Sequence, residues 1–154
     1  MNSPKLLIIF ISQILLGCRQ SHEYTVRDFL ESKSIHYEKN VNNAVIVIPL
    51  DGCSGCIDKS IEFVNENMPK FKNLYCIVVT PSEKLARLRL GSSVNYPRLL
   101  IDIEMTTRMK YLVESMPLIY TMNNELITKY PLDATNIEEE LLRLKGKLTL
   151  WQNR

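Results

Sequence analysis

The chain has 154 residues, 45% of them apolar and 23% charged, with a formal net charge of +2. That length holds one ordinary domain with a short tail, and that composition excludes extensive disorder. A near-neutral balance without a basic run gives no footprint for nucleic acid. From the start, Met1 to Lys5 is short and polar with one positive charge, and Leu6 to Leu16 is almost wholly apolar. The run is too short to span a bilayer, which takes roughly 20 apolar residues. A positive start, a short apolar run and a small residue before a break describe a secretory signal. Residues 1–17 are therefore expected to be removed. The alternative is an uncleaved signal anchor.

The break reads Leu15-Leu16-Gly17-Cys18. This resembles a bacterial lipobox, which implies lipidation of Cys18 and a mature chain anchored to a membrane on the extracytoplasmic, periplasm-facing side. Disulfides persist in such a compartment. Residues 18–43 start polar and read as a tether with a short helix at Val26–Ser32. Ala44 to Leu50 is a β-branched run of the kind buried on both faces of a sheet. Asp51-Gly52-Cys53-Ser54-Gly55-Cys56 follows at once. Ile57, Ile61, Val64 and Met68 then recur at helical spacing until Pro69 stops the pattern.

Leu74 to Thr80 is a second buried-strand run. Ser82 can cap a helix presenting Leu85, Leu88 and Arg89, with Gly91 as its stop. Arg98 to Ile103 is a third strand, and Glu104 to Leu112 is ambiguous with helical character. Pro117 to Met122 is a fourth strand, Asn123-Asn124 a turn, and Glu125 to Tyr130 its hairpin partner. Thr135-Asn136-Ile137-Glu138 resembles a capping box. Ile137, Leu141, Leu144 and Leu148 form the apolar stripe of a closing helix. Strands alternating with helices imply an α/β layered sheet over residues 44–150.

The chemistry concentrates at Cys53 and Cys56. A helix N-terminus presents unpaired N–H groups and partial positive charge, and both favour a thiolate. Cys53 on the turn would attack, and Cys56, one turn into the helix, would resolve a mixed disulfide. Asp51 could raise the thiol pKa and Lys59 could lower it. Zinc needs four ligands, and only His22 and His36 are available to join the pair. Copper on the two thiolates is an open alternative, as is an inert structural disulfide, although so small a loop stabilises little. Cys76 falls inside a strand run and reads as core.

Here the chain resembles the thioredoxin-like superfamily, in particular extracytoplasmic thiol–disulfide oxidoreductases of the TlpA/ResA type. Cys53-Ser54-Gly55-Cys56 between a strand and a helix, Met116-Pro117 before a hairpin, and the closing helix carry the resemblance. It implies a central mixed sheet flanked by helices. It also implies a cis-proline at Pro117, with Met116 and Pro117 holding the substrate protein opposite the cysteines. Pro97 is the rival proline. The family usually has Trp before the first cysteine, where this chain has Gly52. The activity implied is thiol–disulfide exchange on protein disulfides, with no cofactor and no resident metal. The competing functions are a redox-inactive binding or assembly module on the same fold, and copper handling.

Overall fold

The computed structural model describes residues 24–124 and 126–153. The signal segment, Cys18 and His22 lie outside the described residues. Five strands form one sheet: β1 (Asn43–Pro49), β2 (Leu74–Val79), β3 (Leu99–Asp102), β4 (Leu118–Met122) and β5 (Ile127–Pro131). Their order is β3-β2-β1-β4-β5. β1, β2 and β3 run parallel, β4 is antiparallel to β1, and β5 returns antiparallel to β4. Among the described residues the α-helices are α1 (Val26–Ser32), α2 (Ser54–Asn67), α3 (Glu83–Leu90), α4 (Thr106–Met109) and α5 (Ile137–Gln152). The expected strands and the expected helices around them are present.

β1 is central, and all seven of its residues are buried. Its side chains alternate between two cores because strand neighbours point to opposite faces. Ala44, Ile46 and Ile48 face one core with Ile57, Ile61 and Val64 of α2 and the stripe Ile137, Leu141, Leu144 and Leu148 of α5. Val45 and Val47 face the other, with Tyr75, Ile77, Val79 and Tyr120. α1 covers that second core with Val26, Phe29 and Leu30. The short helix read at Val26–Ser32 is thus packed onto the sheet. The Thr25 side chain caps it by accepting from the Asp28 N–H, and the Thr25 N–H donates in return to the Asp28 carboxylate, a capping box.

Two local expectations are corrected. On α3, Ser82 caps and Gly91 (φ 56°) terminates the helix as expected, yet the buried residues are Ala86 and Leu90. Leu85 and Leu88 are exposed, because Ala86 and Leu90, four residues apart and so on one face of the helix, are the side chains that join the core. The Thr135–Glu138 capping box does not form: Asn136 is the N-cap and makes no side-chain cap bond. Instead the Asp133 carboxylate accepts from the Thr135 and Asn136 N–H groups, at 2.7 and 3.1 Å. The Thr135 hydroxyl also donates to that carboxylate, at 2.6 Å, which commits Thr135 to the loop and not to the helix start.

Candidate functional site

β1 ends at Pro49, and the chain turns through Asp51 and Gly52 into α2, whose N-cap is Cys53. Cys53 is exposed and Cys56 is buried one turn behind it; both are free thiols. The Ile57 N–H donates to the Cys53 carbonyl at 2.9 Å, closing the first turn of the helix. The Cys56 side chain, then the Cys56 and Gly55 N–H groups, hold the Cys53 thiol below its usual pKa range. These are the orphan donors of a helix start, placed where a sulfur can use them. Burial, and the neighbouring Cys53, push the Cys56 thiol up to about 11. The pair is therefore asymmetric: an outer sulfur disposed to ionise and an inner one disposed to keep its proton.

Neither Asp51 nor Lys59 acts on the thiols as a free charge. Asp51 is bound by the Arg108 guanidinium through two bonds of 2.5 and 2.6 Å, and this holds its carboxyl below the usual range. Lys59 pairs with Glu138. The carboxylate that works, weakly, against ionisation of both thiols is Asp133, in the loop between β5 and α5. Sequence reasoning missed Arg108 and Asp133. Both lie far from the cysteines along the chain, and no local pattern announces them.

Met116 and Pro117 stand at the start of β4, on the same pole as the cysteine turn. The contact between the two loops is at the preceding residue. A Cβ placed on Gly52 would lie 1.7 Å from the Ser115 carbonyl oxygen. Glycine occupies the position before the first cysteine because the Ser115 backbone takes the space any side chain would need. Met116 is exposed and Pro117 buried. The Pro117 carbonyl accepts from the Leu132 N–H at 2.8 Å, which fixes the start of β4 against the end of β5. The expectation of a cis-proline is corrected: no peptide bond among the described residues is cis. The trans chain approaches the turn through the Ser115 carbonyl, and a residue with no side chain accommodates it. Pro97 lies at the opposite pole, lining a cavity of about 800 Å³ with Tyr75, Arg98 and Trp151.

Cys76 is fully buried in β2, and burial alone drives its thiol pKa far upward. It is a core residue. Among the described residues, no group of three or more His, Cys, Asp and Glu side chains is placed to hold a metal ion. Among the same residues no helix is long and apolar enough to cross a membrane.

No family model matches the sequence, and no curated protein matches it. Solved structures do. A candidate thiol:disulfide interchange protein DsbE from Chlorobium tepidum superposes with a TM-score of 0.51 at 14% identity, covering 71% of this chain and 82% of that one. The chain has a thioredoxin-like fold. A domain of a candidate thiol-disulfide isomerase from Cytophaga hutchinsonii gives a TM-score of 0.47 at 11% identity, covering 73% and 81% of the two chains. A candidate thiol-disulfide oxidoreductase from Bacteroides vulgatus gives 0.43 at 11%, covering 70% and 76%. The assignment of the thioredoxin-like fold rests on the first of these and on the mixed five-stranded sheet itself.

Proposed function

We propose that this protein is a thiol–disulfide oxidoreductase that acts on protein disulfides through Cys53 and Cys56. The observation that carries this is the asymmetry of the pair. The exposed Cys53 thiol is lowered by the Cys56 side chain and by the N–H groups of the α2 N-terminus, and the buried Cys56 thiol is raised behind it. In the reducing direction the Cys53 thiolate attacks one sulfur of a substrate disulfide. The substrate S–S bond breaks, a mixed disulfide forms, and the departing substrate thiolate takes up a proton. Cys56 loses its proton and attacks the Cys53 sulfur. A Cys53–Cys56 disulfide forms, the second substrate sulfur leaves as a thiol, and two electrons have passed to the substrate. Isomerisation uses the first step and its reversal. Exposed Met116, with Pro117 behind it, is the assigned contact for the substrate chain.

The resemblance to the TlpA/ResA type supports reduction or isomerisation outside the cytoplasm, and the likeness to the Chlorobium thiol:disulfide interchange protein points the same way. The Leu-Leu-Gly-Cys signature supports a lipid anchor at Cys18 on the periplasm-facing side of a bacterial membrane. Insulin reduction by the purified protein tests the activity. Wild type should accelerate it, and Cys53→Ser should lie at the uncatalysed rate. Equal rates for the two would leave a binding or assembly module as the better account. Labelling of cells with a radioactive fatty acid should mark the wild-type protein and not Cys18→Ala; label on both, or on neither, would remove the anchor.

A further inference from the structure

The loop that brings Ser115, Met116 and Pro117 to the cysteine turn is held from outside its own sequence. Arg108, on α4, donates from Nη1 and Nη2 to the two carboxylate oxygens of Asp51, and Nη2 also donates to the Glu114 carbonyl at 2.9 Å. One planar guanidinium thus ties the residue two before Cys53 to the residue just before Ser115. A bidentate fork fixes orientation as well as distance, which a single ammonium does not.

The loop needs such a tie. It is bent at Met105 (φ 57°) and Tyr111 (φ 56°), two non-glycine residues in the left-handed region. Such residues cost about 1–3 kcal/mol each and persist where the surroundings over-determine them. The buried Asp102 carboxylate anchors the first bend by accepting from the Thr106 and Thr107 N–H groups. Arg108 anchors the second half. The tie is not built for stability. Its two side chains are 33% and 55% exposed, a setting in which ion pairs contribute about 0–1 kcal/mol. The Arg108 Nε is buried without a hydrogen-bond partner among the described residues, which costs free energy.

We propose that Arg108 is a positioning residue: through Asp51 it holds the Met105–Pro117 loop at a fixed distance from Cys53 and so sets where a substrate protein's backbone meets the nucleophile. This rests on the thiol-exchange function. A small disulfide has no backbone to be held and reaches exposed Cys53 without the loop. A protein disulfide needs both.

The test compares insulin with dithio-bis-nitrobenzoate as substrates for wild type, Arg108→Ala, Arg108→Lys and the swap Asp51→Arg/Arg108→Asp, with thermal unfolding alongside. Arg108→Ala should lower kcat/KM for insulin about tenfold and leave the small-disulfide rate within about twofold, since misplacing a bound chain costs orientation and not thiol chemistry. Arg108→Lys and the swap should each recover part of the loss. Wild-type insulin kinetics in Arg108→Ala would overturn the proposal. So would parallel losses on both substrates with a lowered Tm, the mark of a structural role. Cys53→Ser separates the two levels. If it keeps wild-type rates, the thiol-exchange reading itself fails; if it is inactive, the Arg108 comparison judges the tie alone.

Discussion

Replacing Gly52 with Ala places one methyl group where the Ser115 backbone already lies. The added Cβ would sit 1.7 Å from the Ser115 oxygen and 2.8 Å from its carbonyl carbon. Ordinary contact begins near 3.4 Å, so one loop must withdraw by about 1.7 Å. The obstacle is backbone, which has no rotamer to escape into. Ser115 is also constrained on both sides, by Arg108 at Glu114 and by the Leu132 bond at Pro117. Overpacking of this kind costs about 1–3 kcal/mol. Urea titration of Gly52→Ala should therefore show a midpoint loss worth about 2 kcal/mol at unchanged slope. The insulin rate should fall further than stability alone explains, because the withdrawn loop carries Met116 away from Cys53. Gly55→Ala is the control, since its Cβ would meet nothing within 4 Å. If Gly52→Ala keeps wild-type stability and activity, the close approach of Ser115 to the turn is wrong, and so is the explanation for glycine at this position.

Other outcomes follow from the same geometry. Alkylation of Cys53 by iodoacetamide should titrate below the ordinary cysteine range; in Cys56→Ala, which removes the largest of the lowering contacts, the midpoint should move up toward it. A midpoint unchanged by Cys56→Ala would assign the shift to the helix N–H groups alone. In native protein carrying Cys18→Ser, Cys76 should resist labelling until unfolding; prompt labelling would contradict its burial in β2. Gly146 sits exposed within α5 with open space around its Cα, so Gly146→Ala should stabilise by about 0.5–1 kcal/mol in denaturant titration. Phe29→Ala should cost about 3–5 kcal/mol, because Phe29 is fully buried between α1 and the sheet; a loss under about 1 kcal/mol would mean α1 is a dispensable tether.

The strands of the fold were legible because their signal is local. Runs such as Ala44–Leu50 and Leu74–Thr80 are buried on both faces and read as continuous apolar segments. The stripe Ile137, Leu141, Leu144 and Leu148 was legible by its 3.6-residue period, and all four residues are buried. Periodicity failed on α3, where Leu85 and Leu88 outweigh the small Ala86 by hydrophobicity. The buried face is instead Ala86 and Leu90, four residues apart, and a methyl side chain is too weak a signal to mark it. The capping box at Thr135 failed because Asp133 engages both the N–H and the hydroxyl of Thr135 within the loop.

The cysteine pair was legible because a strand, two cysteines and a helical period lie consecutively along the chain. That order alone fixes Cys53 at a helix start with Cys56 one turn behind, and the difference between their thiols follows from helix geometry and burial. The charge partners and the close backbone approach around the pair could not be read. Asp51 and Lys59 carry charges whose effect depends on their partners, Arg108 and Glu138, which are 57 and 79 residues away along the chain. The trans path of the loop into Pro117, the closeness of Ser115 to Gly52 and the approach of Asp133 to the thiols are equally non-local. Backbone propensity and hydrophobic period are properties of neighbouring residues and survive in the sequence. Electrostatic pairing and steric exclusion between distant segments exist only once the sheet has brought those segments together, and so the tertiary structure alone decided them.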